Sequence, residues 1–136
     1  MSPIVKKDLE RYKPRHAWYL ADALVLVREL QARVWPLGYH VALGGGVLNH
    51  GYSDKDVDLY VLPLGKTLSK DPDYVVLELN DYFGIIGTSY DGDAESVQEF
   101  ERVHGAGSWD QNTWFAHSLN YKTRQHTSVD VFVVQQ

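Results

Sequence analysis

The sequence predicts an α/β (α+β) domain: a small mixed β-sheet flanked by helices, with residues 1–136 forming one unit. Three observations lead there. Apolar patterns follow one another in the order α, β, short α, β, α, β, α, β, β, which points to a mixed sheet with helices. Two apolar segments, Asp56–Leu62 and Val129–Val134, have the alternation or the continuous apolar run expected of strands inside a sheet. Finally, 136 residues with 44% hydrophobic and 12% aromatic side chains suffice for one real core and exclude a disordered chain.

The elements follow in order. Residues 15–34 read as an amphipathic helix: Pro14 suits its start, and Leu20, Leu24, Val27, Leu30 and Val34 recur at helical spacing opposite Asp22, Glu29 and Arg33. Pro36 and Gly38 stop it. Tyr39–Leu43 is a short buried strand ending at the triple glycine, and Val47–His50 makes one or two helical turns after it. Asp56–Leu62 alternates as a strand and is closed by Pro63 and Gly65. Residues 72–83 are helical, from Pro72 to just before Gly84. Ile85 and Ile86 suggest a short strand before the turn-rich Tyr90-Asp91-Gly92-Asp93, and Ala94–Val103 a helix ending at Gly105. Trp114–Tyr121 and Val129–Val134 form a hairpin that turns near Lys122–His126.

Composition narrows the function classes. No apolar run reaches the length of a membrane span, and no apolar core of a signal peptide stands at the N-terminus. With no cysteine, disulfides and thiolate metal sites are excluded, and a cytoplasmic location is expected. A net charge of −5 argues against a general nucleic-acid coat. The basic residues Lys6, Lys7, Arg11, Lys13, Arg15 and His16, and the smaller group Lys122, Arg124 and His126, read as solvated surface.

The chemistry concentrates between Gly44 and Val61. Side chains alternate along a strand, so Asp56 and Asp58 project to one face while Val57, Leu59 and Val61 face the core. Two carboxylates held this close repel each other and favour a bound cation. Oxygen ligands without thiolates select Mg²⁺ or Mn²⁺. Asp130 stands on another apolar strand, and if that strand lies beside residues 56–62 all three acids meet around the metal. The glycines Gly44, Gly45 and Gly46 lack β-carbons, so their N–H groups can approach a phosphate, and a helix starting there would aim its positive end at the same anion. Ser53 adds a hydroxyl donor. Together these parts describe a site for a nucleoside triphosphate with its metals.

This pattern resembles the nucleotidyltransferase superfamily that includes DNA polymerase beta, the CCA-adding enzymes and the minimal nucleotidyltransferases. The matching residues are Leu43-Gly44-Gly45, then Asp56-Val57-Asp58-Leu59, and later Asp130; the run Gly51–Asp58 is similar to that of minimal and aminoglycoside-type members. Leu48-Asn49 stands where the CCA-adding enzymes carry Arg-Asp, which separates this chain from a tRNA-end polymerase, and Gly45 stands where many members carry serine. The resemblance implies the nucleotidyltransferase fold and a two-metal transfer of a nucleoside monophosphate from a triphosphate to a hydroxyl of a protein, RNA or small molecule. Asp56 and Asp58 would ligate both metals. Asp130 would complete the metal nearer the acceptor and help deprotonate it, while Gly44, Gly45, Gly46 and Ser53 would hold the phosphates.

A chain ending shortly after the last strand is expected to take its acceptor surface from a second copy or a partner protein. The alternative is a non-catalytic module on the same fold that binds a nucleotide or a protein. Other candidates are weaker. The histidines have no metal spacing; His50 and Lys55 read as loop surface, Lys122 and Arg124 as possible phosphate or acceptor contacts, and Trp109, Trp114 and Tyr121 as base-stacking or core aromatics. No Gly-x-Ser-x-Gly elbow supports a serine nucleophile.

Overall fold

The computed structural model describes residues 18–90, 94–107, 115–123 and 128–135. It is a mixed α/β domain whose sheet is flanked by helices. In chain order the elements are β1 (Trp18–Tyr19), α1 (Leu20–Val34), a 3₁₀ turn (Trp35–Leu37), β2 (Tyr39–Gly44), α2 (Gly45–His50), β3 (Tyr52–Ser53) and β4 (Asp56–Pro63). They continue with α3 (Pro72–Phe83), β5 (Thr88–Tyr90), α4 (Ala94–His104), β6 (Phe115–Lys122) and β7 (Ser128–Val134).

Five strands form the main sheet in the order β2-β4-β7-β6-β5. The central pair β4–β7 is parallel and the other pairings are antiparallel. One face is apolar throughout. Val57, Leu59 and Val61 from β4, Val129, Val131 and Val133 from β7, and Tyr121 from β6 are fully buried on it. Helices α1 and α3 cover that face with Ala23, Leu30 and Val34, and with Val75 and Leu79. The opposite face belongs to Asp56, Asp58 and Tyr60 and to their neighbours Asp130 and Phe132. Part of it is covered by α4, whose buried Phe100 packs with Phe115, Phe132 and Tyr60.

Two sequence expectations need correction. The helix predicted over 15–34 begins at Leu20, because Trp18–Tyr19 pairs antiparallel with Tyr52–Ser53; residues up to 17, with Pro14 and the basic N-terminal group, lie outside the described residues. Its buried stripe is Ala23, Leu26, Leu30 and Val34, with Val27 half-buried, while Leu20 and Leu24 are exposed. The predicted and observed stripes share Val27, Leu30 and Val34, and the small Ala23 faces the core in the first turns.

The strand expected at Ile85–Ile86 starts instead at Thr88, and Ile86 is 87% exposed. Gly84 ends α3 in the left-handed conformation at φ 69°, so the chain reverses before it can join the sheet. Gly87 then passes so close to Tyr121 that a β-carbon there would lie 2.6 Å from its Cζ.

Asn80 fixes this crossing. Its Oδ1 accepts from Gly87 N (3.1 Å) and from the Tyr121 hydroxyl (2.7 Å). Asn80→Leu strands both donors, so it is expected to destabilise the fold by about 2–3 kcal/mol in chemical denaturation. The Tyr121 ring stacks on Phe83 at 4.4 Å in the core, which settles it as packing rather than a base platform. Among the described residues no helix is long and apolar enough to cross a membrane.

Candidate metal centre

Strand register brings the three acids together. Asp58 stands directly beside Asp130 across the parallel β4–β7 pair, and Asp56 beside Ser128. One carboxylate oxygen from each of Asp56, Asp58 and Asp130 lies within 4.8 Å of the others, close enough to share a cation. Asp130 is buried (7% exposed), whereas Asp56 and Asp58 are half-buried, so the cluster opens toward solvent on the β4 side.

The electrostatics follow from this crowding. Burial, and then the Asp56 charge, pushes Asp58 up to about 6. Burial also pushes Asp130 up, to about 8, helped by the neighbouring Asp56 carboxyl and opposed by the Asn120 amide. Among the described residues no lysine, arginine or histidine pairs with any of the three. Uncompensated, partly buried carboxylates of this kind suit a hard divalent cation, and the donor set fits Mg²⁺ or Mn²⁺.

A consequence can be measured without any substrate. Asp58 and Asp130 bind protons more tightly folded than unfolded, so their contribution is intact below the unfolded value and is lost as pH rises through about 6 and about 8. The metal-free protein is therefore expected to melt several degrees lower at pH 9 than at pH 5. Millimolar Mn²⁺ should remove most of that decline. A melting temperature that does not fall on the alkaline side would contradict the burial of the cluster.

The glycine turn packs directly on this cluster. Gly44 ends β2 in register with Asp58. A β-carbon on Gly44 would meet Tyr60 Cε2 at 2.6 Å. Gly45 has φ +69°, and a β-carbon there would overlap the Asp58 carboxylate, lying 2.9 Å from its Cγ. Glycine at 45 is thus required twice, by its backbone and by the acid beside it. Gly46, the second residue of α2, is without strain, with Ser53 Oγ 4.0 Å from where its β-carbon would be. The first turn of α2 has no side-chain cap. Ser53 Oγ accepts a hydrogen bond from Lys55 N (3.3 Å).

The turn and its loop are braced from both sides. Leu20 N donates to Gly51 O (2.9 Å), and Ser128 N to Lys55 O (3.5 Å). Trp18 Nε1 donates to Ser128 O (3.1 Å), tying β1 to β7.

The structure thus assembles Asp56, Asp58, Asp130, Gly44, Gly45, Gly46 and Ser53 in one neighbourhood. His50 and Lys122 are exposed but end α2 and β6 instead of lying in loops, and Lys55 is an exposed residue before β4. Trp109, Trp114, Arg124 and His126 lie outside the described residues. Sequence reasoning missed Asn120, whose Nδ2 donates to Asp130 Oδ1 (2.7 Å), and Tyr60, whose hydroxyl is pushed up by burial and by Asp58. The hairpin register held the signal for Asn120: pairing of β6 with β7 symmetric about position 125 sets Asn120 opposite Asp130. Comparison with protein-family models, with curated proteins and with solved structures finds no match.

Proposed function

We propose that this protein is a metal-dependent nucleotidyltransferase of the minimal, DNA polymerase beta-like type, moving a nucleoside monophosphate from a triphosphate to an acceptor hydroxyl. The observation that carries the reading is the meeting of Asp56, Asp58 and Asp130, with the glycine turn packed against Asp58. An acid cluster alone is compatible with many roles. An acid cluster that shares its wall with an uncapped glycine turn suits a ligand joining metal to phosphate.

In this reading Asp56, Asp58 and Asp130 hold Mg²⁺ or Mn²⁺, which when bound supplies positive charge against the triphosphate and the departing pyrophosphate. The acceptor oxygen forms a bond to the α-phosphorus as the α–β bridging P–O bond breaks, and pyrophosphate leaves with that bridging oxygen. Asp130, on the metal nearer the acceptor, would take the acceptor hydroxyl's proton. The backbone N–H groups of the Gly44–Gly46 turn hold the phosphates. Ser53, beside Gly46, provides the hydroxyl that Gly45 lacks. The acceptor surface is expected from a second copy or a partner protein, and the cytosol, with its triphosphate pool, as the place of reaction.

The test is labelling with each of the four α-³²P nucleoside triphosphates, Mg²⁺ and cell lysate. One nucleotide should label an acceptor, and Asp56→Asn should abolish the band. If the protein binds Mg²⁺–triphosphate yet labels nothing, the non-catalytic module replaces the enzyme; if it binds none, both fall.

A further inference from the structure

We propose that Asn120 is a positioning residue for the metal centre, holding the Asp130 carboxylate in the orientation that a divalent cation requires. This rests on the metal-centre reading of Asp56, Asp58 and Asp130.

Asn120 stands on β6 directly opposite Asp130, on the side of β7 away from β4. Its amide nitrogen makes two short hydrogen bonds, to Asp130 Oδ1 and to Ser128 Oγ, each 2.7 Å. An amide nitrogen has two hydrogens, so both are used, and the Ser128 bond stops the amide from rotating away from the acid. The orientation is also the chemically required one, since a carboxylate accepts and does not donate. Asp130 is nearly sealed from water, which leaves protein groups to decide where its oxygens point.

Asp56 approaches the same carboxyl from the β4 side, with one carboxylate oxygen of each within 4.8 Å of the other. Asn120 pulls one oxygen of Asp130 toward β6 and leaves its remaining lone pairs for a metal. A neutral amide does this without adding positive charge to the cluster. Arginine or lysine at 120 would orient the acid and neutralise it at once.

The experiment measures Mn²⁺ binding to the metal-free protein, by electron paramagnetic resonance of free Mn²⁺, with circular dichroism to confirm folding. Asn120→Leu keeps the heavy-atom branching and removes the donors, and is expected to weaken Mn²⁺ about tenfold. Ser128→Ala should weaken it by a smaller factor, and adding it to Asn120→Leu should have no further effect, because its role passes through the amide. A packing role alone would lower the melting temperature of Asn120→Leu and leave the Mn²⁺ affinity of the folded protein unchanged, and that result overturns the proposal. Should Asn120→Leu fail to fold, Ser128→Ala decides by itself: unchanged affinity overturns the proposal. Asp56→Asn separates the two levels. If it loses Mn²⁺ while Asn120→Leu does not, the metal centre stands and the positioning role falls; if the parent binds no Mn²⁺, the metal centre itself falls.

Discussion

Asp58→Asn is expected to cut the proposed nucleotidyl transfer by about a thousandfold or more while making the metal-free protein more stable at alkaline pH. The two effects share a cause. Asp58 is half-buried beside Asp56 and directly across the strand pair from Asp130, and its ionisation is opposed first by burial and then by the Asp56 charge. Asparagine keeps the shape and removes the charge, so the variant loses a metal ligand and an electrostatic penalty together. At pH 9 its melting temperature should exceed that of the parent, and at pH 5, where Asp58 is largely protonated in the folded parent, the difference should shrink. Added Mn²⁺ should raise the parent far more than the variant. A variant that is inactive and also less stable at pH 9 would mean that residue 58 serves packing, and the metal reading would lose its main support.

The second large effect is expected at the turn. Gly45→Ala should cost about 2–4 kcal/mol in denaturant unfolding and weaken Mn²⁺ binding together, because two penalties fall on one atom. An L-residue at φ +69° is strained, and the new β-carbon would occupy the space of the Asp58 carboxylate. Asp58 must then move out of line with Asp130. Gly46→Ala is the matched control: its β-carbon would meet nothing closer than Tyr52 O at 3.8 Å, so stability should change by less than about 1 kcal/mol and Mn²⁺ affinity should hold. Equal behaviour of the two variants would refute the close packing of glycine on acid. The same geometry gives a physical reason for glycine at position 45. With Asp58 seated against position 45, a serine side chain there would need the acid to shift.

Much of this site was legible beforehand because strand alternation is a strong constraint. A period of two allows only one assignment of Asp56, Val57, Asp58 and Leu59 to faces once the apolar positions are taken as core. What alternation leaves open is which strands are neighbours. The parallel pairing of β4 with β7 depends on contacts between distant parts of the chain, and it turns two aspartates and a third into a cluster. Asn120 was missed for a related reason. An asparagine in a strand has no chemical signature until the acid opposite it is known. The misplaced stripe on α1 shows the limit of helical periodicity: Leu24 and Ala23 differ in hydrophobicity, yet the smaller residue faces the core and the larger one is half exposed. Local spacing could not register that preference. Likewise Ile85 and Ile86 are apolar enough for a strand, and the left-handed Gly84 keeps them out of one.

The central place of β7 has one more consequence, for the timing of synthesis. A ribosome delivers β4 long before β7, and β7 must then insert beside β4 as the last strand of the sheet to emerge. Until it does, Asp56 and Asp58 have no third acid and β4 has an open edge. Pairings between segments so far apart form slowly. With the proposed metal centre, cation affinity would be a gauge of completed folding: a nascent or partly assembled chain should be blind to Mn²⁺, and the acquisition of the ion would mark the moment at which the sheet closes.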